Sequence, residues 1–260
     1  MKFIHLTDTH VVGGGLLYGQ DPAAALARAV QSINDAHGDA AFVVVTGDLT
    51  HWGDADAYAR FAGEMGKLHV PAYLMVGNHD DTPAFAAAFP KTPRDENGFV
   101  QTVLHTEAGR FLLLDTKAPE GAGGAYCALR RDWLRRQLDG SDDPIVMFMH
   151  HPPCPVGIPA MDRIMLHEAE AFFDVIAPHI ARIRHLFFGH VHRAIWGNWR
   201  GISYSCMRGL NHQVALDLGG PKDRISGTFE PAAYGVVLLG EDQVTVHLHD
   251  FTDSSERFDL

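Results

Sequence analysis

Short apolar runs rich in β-branched and aromatic residues alternate along the chain with segments of helical periodicity. Such an alternation is typical of α/β folds, in which helices connect strands of one sheet. The runs are long enough for strands and look buried on both faces, and they lie at residues 3–6, 42–45, 72–76, 111–114, 145–149 and 186–188. The pattern therefore predicts six strands that form the centre of an α/β fold.

Four helices are predicted among these strands. The first begins at Asp21, whose carboxylate can cap a helix that has proline at its first position, and it ends at Gly38. The second covers about residues 54–68, where apolar side chains recur at spacings of three and four. The third surrounds Trp133, and the fourth covers about residues 166–176.

The texture of the chain changes after residue 188. Shorter strand-like runs follow, with turns between them and little helix. We expect the part of the chain from about residue 200 to residue 260 to be mostly β and to complete a second, more antiparallel sheet packed on the first; its strands are predicted at residues 202–206, 214–218, 234–239 and 244–248. No repeat and no Gly/Ser-rich linker interrupts the sequence, so residues 1–260 are predicted to form a single domain.

Polar clusters follow five of the six predicted strands directly. They consist of Asp8 and His10; Asp48; Asn78, His79 and Asp80; His150 and His151; and His190 and His192. Taken singly, each has an ordinary structural explanation, because Asp caps turns and helices and a lone His is commonly a structural residue. The carboxyl ends of strands in an α/β sheet converge on one crevice, however, so five such clusters together predict one shared metal site.

The types of side chain and their spacing support this prediction. Alternate residues of an extended segment point the same way, so Asp8 and His10 can reach one site together, as can His190 and His192. Glycine precedes Asp48, Asn78 and His190, which allows a close backbone approach. Carboxylate, amide and imidazole donors without a thiolate suit manganese, iron, cobalt, nickel or zinc. Asp48 is the natural bridge between two ions.

All five motifs, in this order, resemble the signature of the calcineurin-like metallophosphoesterases. Within that superfamily the chain is most similar to the bacterial class III cyclic-nucleotide phosphodiesterases and glycerophosphodiesterases, in its first strand, its His150-His151-Pro152-Pro153 run and its Asn211-His212-Gln213-Val214 run. The resemblance implies a four-layer α/β/β/α sandwich with two mixed sheets. It also implies an enzyme with two divalent or trivalent metal ions, such as manganese, iron, zinc or cobalt.

The resemblance implies a role for each motif. Asp8, His10 and His192 would hold one ion and Asn78, His150 and His190 the other, with Asp48 bridging both. His151 is an alternative to His150 as the ligand. A metal-activated hydroxide would attack phosphorus in line, and His79 would protonate the leaving group, unless it only supports the site through hydrogen bonds. Asn78, His79 and His212 would contact the substrate, although His212 could equally be an ordinary residue at a strand edge.

Composition and charge narrow the choice of substrate. The formal net charge of −11 argues against long nucleic acids as partners. The protein Ser/Thr phosphatases that the Gly47-Asp48 pair resembles normally have an arginine soon after it; none follows here, so the resemblance disfavours a phosphoprotein substrate. No obvious Arg or Lys stands beside a metal motif, which favours a monoanionic diester. Small phosphodiesters such as cyclic AMP or glycerophosphodiesters are therefore the predicted substrates. A broad-specificity phosphomonoesterase and an inert metal-binding scaffold are the alternatives.

Three further features concern the setting of the protein. The cysteines, at positions 127, 154 and 206, are too few and too irregularly spaced for a disulfide framework, which favours a reducing, cytoplasmic environment. The first residues lack the features of a signal peptide, and no apolar run approaches the roughly 20 residues that span a bilayer. The oligomeric state stays open, with a homodimer or a larger homo-oligomer as the candidates.

Overall fold

The computed structural model describes residues 1–256 and 258–259 and contains two large mixed β-sheets with helices on their outer faces. The elements in chain order are β1 (Lys2–Leu6), α1 (Pro22–His37), β2 (Val43–Val45), α2 (Ala55–Met65), β3 (Ala72–Leu74), α3 (Thr82–Ala88), β4 (Thr102–Thr106), β5 (Gly109–Leu113), α4 (Ala128–Asp139), β6 (Ile145–Phe148), α5 (Pro159–Asp162), α6 (Ala169–Ile176), a 3-10 helix (Ala177–Arg182), β7 (Ile183–Phe188), β8 (Ile195–Trp199), β9 (Ile202–Cys206), β10 (Gln213–Val214), β11 (Gly227–Thr228), β12 (Tyr234–Leu239) and β13 (Val244–His249).

The first sheet has the strand order β13-β12-β1-β2-β3. Strands β1, β2 and β3 are parallel, and β12 pairs antiparallel with β1, so that Phe3 lies opposite Val237. Helix α1 begins as the sequence predicts, because the Asp21 side chain accepts hydrogen bonds from the backbone N–H groups of Ala23 and Ala24. Leu26 of α1 and Phe61 of α2 belong to the core that covers the outer face of this sheet.

The second sheet has the order β4-β5-β6-β7-β9-β8. Its four central strands are parallel, and an antiparallel strand lies at each edge. Trp133 and Leu134 of α4 and Phe172 of α6 cover its outer face, where they pack with Leu112 and Leu186 of the sheet.

The inner faces of the two sheets meet in an aromatic core. Phe3 of β1 packs edge-on against Phe111, Phe148 and Phe187 of the second sheet, with ring centroids 5.4, 5.9 and 5.6 Å away. Alternate residues of each strand face this core and the outer helices, as strand geometry requires. The molecule thus has the layer order helix, sheet, sheet, helix, which confirms the predicted four-layer sandwich.

Several strand predictions are corrected by the structure. β3 lies at the edge of the first sheet and its residues are partly or fully exposed, so it is not buried on both faces. The strand predicted at residues 214–218 ends at Val214. The C-terminal strands do not all complete the second sheet, because β12 and β13 join the first. Strands β4, β8 and β11, the short helices α3 and α5, and the 3-10 helix were not predicted.

The five predicted metal motifs lie just beyond β1, β2, β3, β6 and β7. Among the described residues no helix has both the length and the apolar character needed to cross a membrane. The predicted domain of residues 1–260 also includes residues 257 and 260, which lie outside the described residues.

Candidate metal centre

Left-handed backbone turns direct the predicted ligands after the strands end. Among the described residues only seven that are not glycine have a positive φ, and five of them are predicted ligands. They are Asp8 (52°), His10 (47°), Asp48 (50°), His190 (66°) and His192 (49°). L-residues adopt this conformation at an energetic cost, and such residues concentrate at functional sites. The backbone itself therefore marks this edge of the sheets as a site.

The loops that carry the ligands approach one another closely. A Cβ atom at Gly77 would overlap the Asp48 carboxylate and its backbone nitrogen, and one at Gly189 would overlap the Thr7 hydroxyl. The backbone N–H of His190 donates to both carboxylate oxygens of Asp8, at 3.1 Å each. The loop after β7 is thus joined to the loop after β1, across the two sheets.

The first group of donors consists of Asp8, His10, Asp48 and His192. These residues are buried, and one donor atom from each lies within 4.8 Å of the others. His192 Nε2 is 3.3 Å from Asp8 Oδ1 and 3.0 Å from His10 Nε2. His10 Nε2 is 3.7 Å from Asp48 Oδ2. Two carboxylates and two imidazoles that converge in this way form a donor set suited to a divalent cation.

The second group lies on the other side of Asp48. His150 Nε2 is 3.3 Å from Asp48 Oδ2 and 3.2 Å from Asn78 Oδ1. The ring of His190 is 5.2 Å from that of His150, and its Nε2 is buried without a hydrogen-bond partner. A buried nitrogen without a partner is costly unless something binds it, which fits a metal ligand. One oxygen of Asp48 therefore faces both groups.

Backbone carbonyls set the orientation of two of these rings. Nδ1–H of His150 donates to the carbonyl oxygen of Thr46 at 2.7 Å, and Nδ1–H of His192 donates to that of His212 at 2.9 Å. A carbonyl can only accept, so each ring keeps a proton on Nδ1 and turns Nε2 towards the cluster, where a metal ion could take the place of a proton. This is the arrangement that orients metal-binding histidines in proteins.

His151 is placed differently from its neighbour His150. Its Nε2–H donates to the carbonyl oxygen of Ala122 at 3.2 Å, and its Nδ1 accepts from the Thr116 hydroxyl at 2.9 Å. Burial and the nearby His190 and His150 lower the pKa of His151 well below its usual range. Both of its nitrogens are occupied, so the geometry supports His150 as the ligand.

The charges of the cluster favour a cation. Burial disfavours a proton on His150, yet Asp48 and Asp8 outweigh burial and raise the pKa of His150 to about 9. Burial, followed by the charge of His150, lowers the pKa of His190 to about 3, so His190 stays neutral. The two buried carboxylates thus attract positive charge, which a metal ion can supply in place of the proton.

A cavity of about 450 Å³ opens over the cluster, and both His79 and His212 line it together with His10, Asn78 and His190. The ring of His212 is 4.9 Å from that of His10 and 4.7 Å from that of His192. Among the residues that the structure describes, no Lys or Arg lines the cavity. Lys117 instead donates to the carbonyl oxygen of Asn78 at 3.1 Å, and Arg208 pairs with Glu230 at 3.3 Å.

Two residues with clear structural roles at the site were not assigned any role from the sequence. The buried carboxylate of Asp80 accepts from the backbone N–H groups of Leu49, Thr50 and Gly77, at 3.2, 3.2 and 2.9 Å, and so joins the loops after β2 and β3. His51 contacts both His10 and His79. The position of Asp80 in the Gly77-Asn78-His79-Asp80 motif could have indicated a role at the site. Nothing in the sequence except the residue type indicated a role for His51.

Comparison with known proteins identifies the family of this chain. The family model for calcineurin-like phosphoesterases matches residues 1–194. The chain is 44% identical to a probable cyclic nucleotide phosphodiesterase of Rhodopseudomonas palustris, over 100% of this chain and 96% of the relative. It is 31% identical to a probable glycerophosphodiester phosphodiesterase of Arcobacter nitrofigilis, over 84% of this chain and 81% of that protein.

A solved structure shows the same fold at low sequence identity. A dimetal phosphatase from Danio rerio superposes with a TM-score of 0.74 and 16% identity, over 97% of this chain and 96% of that one. The chain belongs to the calcineurin-like phosphoesterase family, a class of hydrolytic enzymes. This membership confirms the resemblance drawn from the five motifs.

Proposed function

We propose that this protein is a binuclear metal-dependent phosphodiesterase that hydrolyses small phosphodiesters. The observation that carries the proposal is a buried cluster of carboxylates and imidazoles beneath a cavity that no Lys or Arg among the described residues lines. The names of the two relatives, a cyclic nucleotide and a glycerophosphodiester phosphodiesterase, support the same class of substrate. A cytoplasmic location and a homo-oligomeric state stay predictions from the sequence.

The donors divide into two sets that share Asp48. Asp8, His10 and His192 would hold one ion, and Asn78, His150 and His190 the other. Support for a bridging role comes from Asp48 Oδ2, which is 3.7 Å from His10 Nε2 and 3.3 Å from His150 Nε2. The backbone N–H of His79 donates to Asp48 Oδ1 at 2.8 Å and so holds the carboxylate in this orientation.

When bound, two such ions would activate a water molecule for in-line attack and stabilise negative charge that develops on the phosphoryl oxygens. As the bond from phosphorus to the leaving oxygen breaks, His79 would give that oxygen the proton on Nε2. Nδ1–H of His79 donates to the carbonyl oxygen of His51 at 2.9 Å, so Nε2 is the nitrogen left for this transfer. The proton that the attacking water loses would restore His79.

The charge of the site favours a diester over a monoester. Two divalent ions would carry four positive charges, and Asp8 and Asp48 would cancel two of them. A monoanionic diester is attracted to this centre, whereas a dianionic monoester would gain more from an arginine or lysine clamp. Among the described residues no such clamp lines the cavity.

The apolar part of the cavity lining favours cyclic nucleotides over glycerophosphodiesters. It comes from the α5 region and from β10, β11 and the segments next to them, with Met161, Ile164, Val214, Ile225 and Phe229. A nucleobase has a broad planar surface that gains from contact with apolar side chains, whereas a glycerol group is polar throughout. Thr228, which also lines the cavity, offers a hydroxyl for hydrogen bonding.

A substrate panel on reconstituted protein tests this proposal. The protein would be stripped of metal and then loaded with manganese, iron, cobalt or zinc. Turnover would be measured with bis-nitrophenyl phosphate, nitrophenyl phosphate, 3′,5′-cyclic AMP, 2′,3′-cyclic AMP and a glycerophosphodiester. We expect stripped protein to lose activity, reloaded protein to prefer diesters, and cyclic nucleotides to exceed the glycerophosphodiester in kcat/KM.

Asp48→Asn and Asp242→Asn form a matched pair for the same assay, because Asp48 is buried in the cluster and Asp242 is exposed. We expect Asp48→Asn to lower kcat by at least about 100-fold, since it removes the shared anionic ligand, and Asp242→Asn to retain activity. Undiminished turnover after verified metal removal would refute metal dependence. A preference for the monoester would refute the diesterase assignment.

A further inference from the structure

His51 lies between a predicted metal ligand and the predicted proton donor. It follows β2 by six residues, is only 4% exposed and lines the cavity. Its ring centroid is 5.1 Å from that of His10 and 4.6 Å from that of His79. None of the five motifs includes it.

The contact with His10 joins the two Nδ1 atoms, which are 3.0 Å apart. His10 Nε2 faces Asp48 and His192, so a metal ion bound there would place the proton of His10 on Nδ1. Nδ1–H of His10 then donates to Nδ1 of His51, and His51 carries its own proton on Nε2. A hydrogen bond of this kind fixes the orientation and raises the donor strength of a metal-binding histidine.

The contact with His79 has two parts. The carbonyl oxygen of His51 accepts Nδ1–H of His79 at 2.9 Å. The two rings also stack, with planes inclined by 20°. The stacked ring limits the rotation of His79, and the carbonyl keeps a proton on its Nδ1, so that Nε2 is the atom that can give a proton to the leaving group.

We propose that His51 is a positioning residue that fixes both the metal ligand His10 and the leaving-group acid His79. Its imidazole acceptor acts on His10, and its ring face acts on His79. This inference rests on the proposed function, because it assigns the two contacts of His51 to metal binding and to proton donation.

Two substitutions separate these contacts. His51→Asn places an amide oxygen close to the position of Nδ1 and so keeps the acceptor for His10, but it removes most of the ring that stacks on His79. His51→Phe keeps a ring of similar shape but removes the acceptor. The same two substitutions at His105, an exposed residue of β4, are the matched controls.

Two measurements would be made on each variant. Metal affinity would be measured by equilibrium dialysis with metal analysis, which does not depend on turnover. Leaving-group dependence would be measured as the ratio of kcat/KM for bis-nitrophenyl phosphate to that for 3′,5′-cyclic AMP, whose alkoxide leaves with difficulty. His79→Ala supplies the ratio that corresponds to complete loss of the acid.

We expect His51→Phe to weaken the binding of one metal equivalent by about 10- to 100-fold while its leaving-group ratio stays near that of the wild type. We expect His51→Asn to bind metal within about threefold of the wild type, and its ratio to move at least about tenfold towards that of His79→Ala. The His105 variants should match the wild type in both measurements.

Metal affinity unchanged in His51→Phe, or equal losses on both substrates in His51→Asn, would overturn the positioning role. If His51→Phe does not fold, His51→Asn alone still tests the proposal. This variant keeps the acceptor for His10, so a loss of metal binding in it would refute the assignment of the acceptor to His10 and of the ring face to His79. The wild-type protein in the same assays distinguishes failure of the His51 proposal from failure of the proposed function. If the wild type needs no metal or cleaves no diester, both proposals are refuted. If it needs metal and cleaves diesters, the His51 variants test the positioning role alone.

Discussion

At the scale of single residues, the adjacent histidines after β6 show what spacing along the sequence cannot decide. His150 keeps one nitrogen for the cluster, whereas both nitrogens of His151 contact other groups. The sequence placed both at the end of a buried strand and so predicted their neighbourhood. It could not predict the partners, because Thr46, Thr116 and Ala122 come from distant parts of the chain.

Alanine substitutions at these two positions should have different effects. We expect His150→Ala to weaken the binding of one metal equivalent by at least about 100-fold, since it removes a proposed ligand. His151→Ala should bind metal within a few-fold of the wild type but lower the free energy of unfolding by about 1–3 kcal/mol, because the buried Thr116 hydroxyl loses the nitrogen that accepts its hydrogen bond. Metal titration and denaturant unfolding of the metal-free proteins measure the two effects. Equal losses of metal affinity would contradict this assignment.

At the scale of elements, the glycines that end the strands should be as important as the ligands. Gly77 follows β3, and a methyl group there would overlap the backbone nitrogen of Asp48 as well as its carboxylate. We expect Gly77→Ala to displace the loop after β2, to lower the free energy of unfolding by about 1–3 kcal/mol and to weaken metal binding. Metal titration and denaturant unfolding measure both effects.

Gly63→Ala is the control for this prediction. Gly63 lies within α2, and a Cβ there would meet nothing within 4 Å. We expect it to leave metal affinity unchanged and to stabilise the protein by about 0.4–1 kcal/mol, since alanine restricts the unfolded chain. If Gly77→Ala binds metal with the same affinity as Gly63→Ala, the prediction is contradicted and the loops have room for the added methyl group.

The strands that the sequence missed or misplaced have a common physical reason. Leu216 and Leu218 alternate with Asp217 as in a half-buried strand, yet both leucines are exposed and β10 ends at Val214. Alternation predicts a strand only where another strand can pair with it. Likewise, β12 pairs with β1 from the other end of the chain, and no local pattern specifies such a partner.

At the scale of the whole molecule, the interface between the sheets determines whether the site can form. Asp8, Asp48 and Asn78 follow strands of the first sheet, whereas His150 and His190 follow strands of the second. The convergence of strand ends was predictable from the α/β pattern. A second sheet packed on the first was also expected from the short strand-like runs after residue 188, but the pattern could not specify which residues meet in the interface, because its aromatic side chains come from separated parts of the sequence.

A buried histidine in this interface should make the stability of the molecule sensitive to acid. His185 faces Phe187 in the interface and contacts the Ser205 hydroxyl at 2.9 Å, and burial lowers its pKa to about 4. Between pH 6.5 and 4 the unfolded chain therefore binds a proton that the folded protein rejects, so stability is fully present above pH 6.5 and falls with pH through this window. From pH 7 to pH 5 this difference in proton binding should lower the free energy of unfolding by about 2 kcal/mol. The measurement is denaturant unfolding of metal-free protein at pH 7 and at pH 5. Between these two values we expect the free energy of unfolding of His185→Phe to fall by about 2 kcal/mol less than that of the wild type. Ser205→Ala, which keeps the histidine, should show the same fall as the wild type. Parallel pH profiles for His185→Phe and the wild type would show that His185 is not the group that titrates.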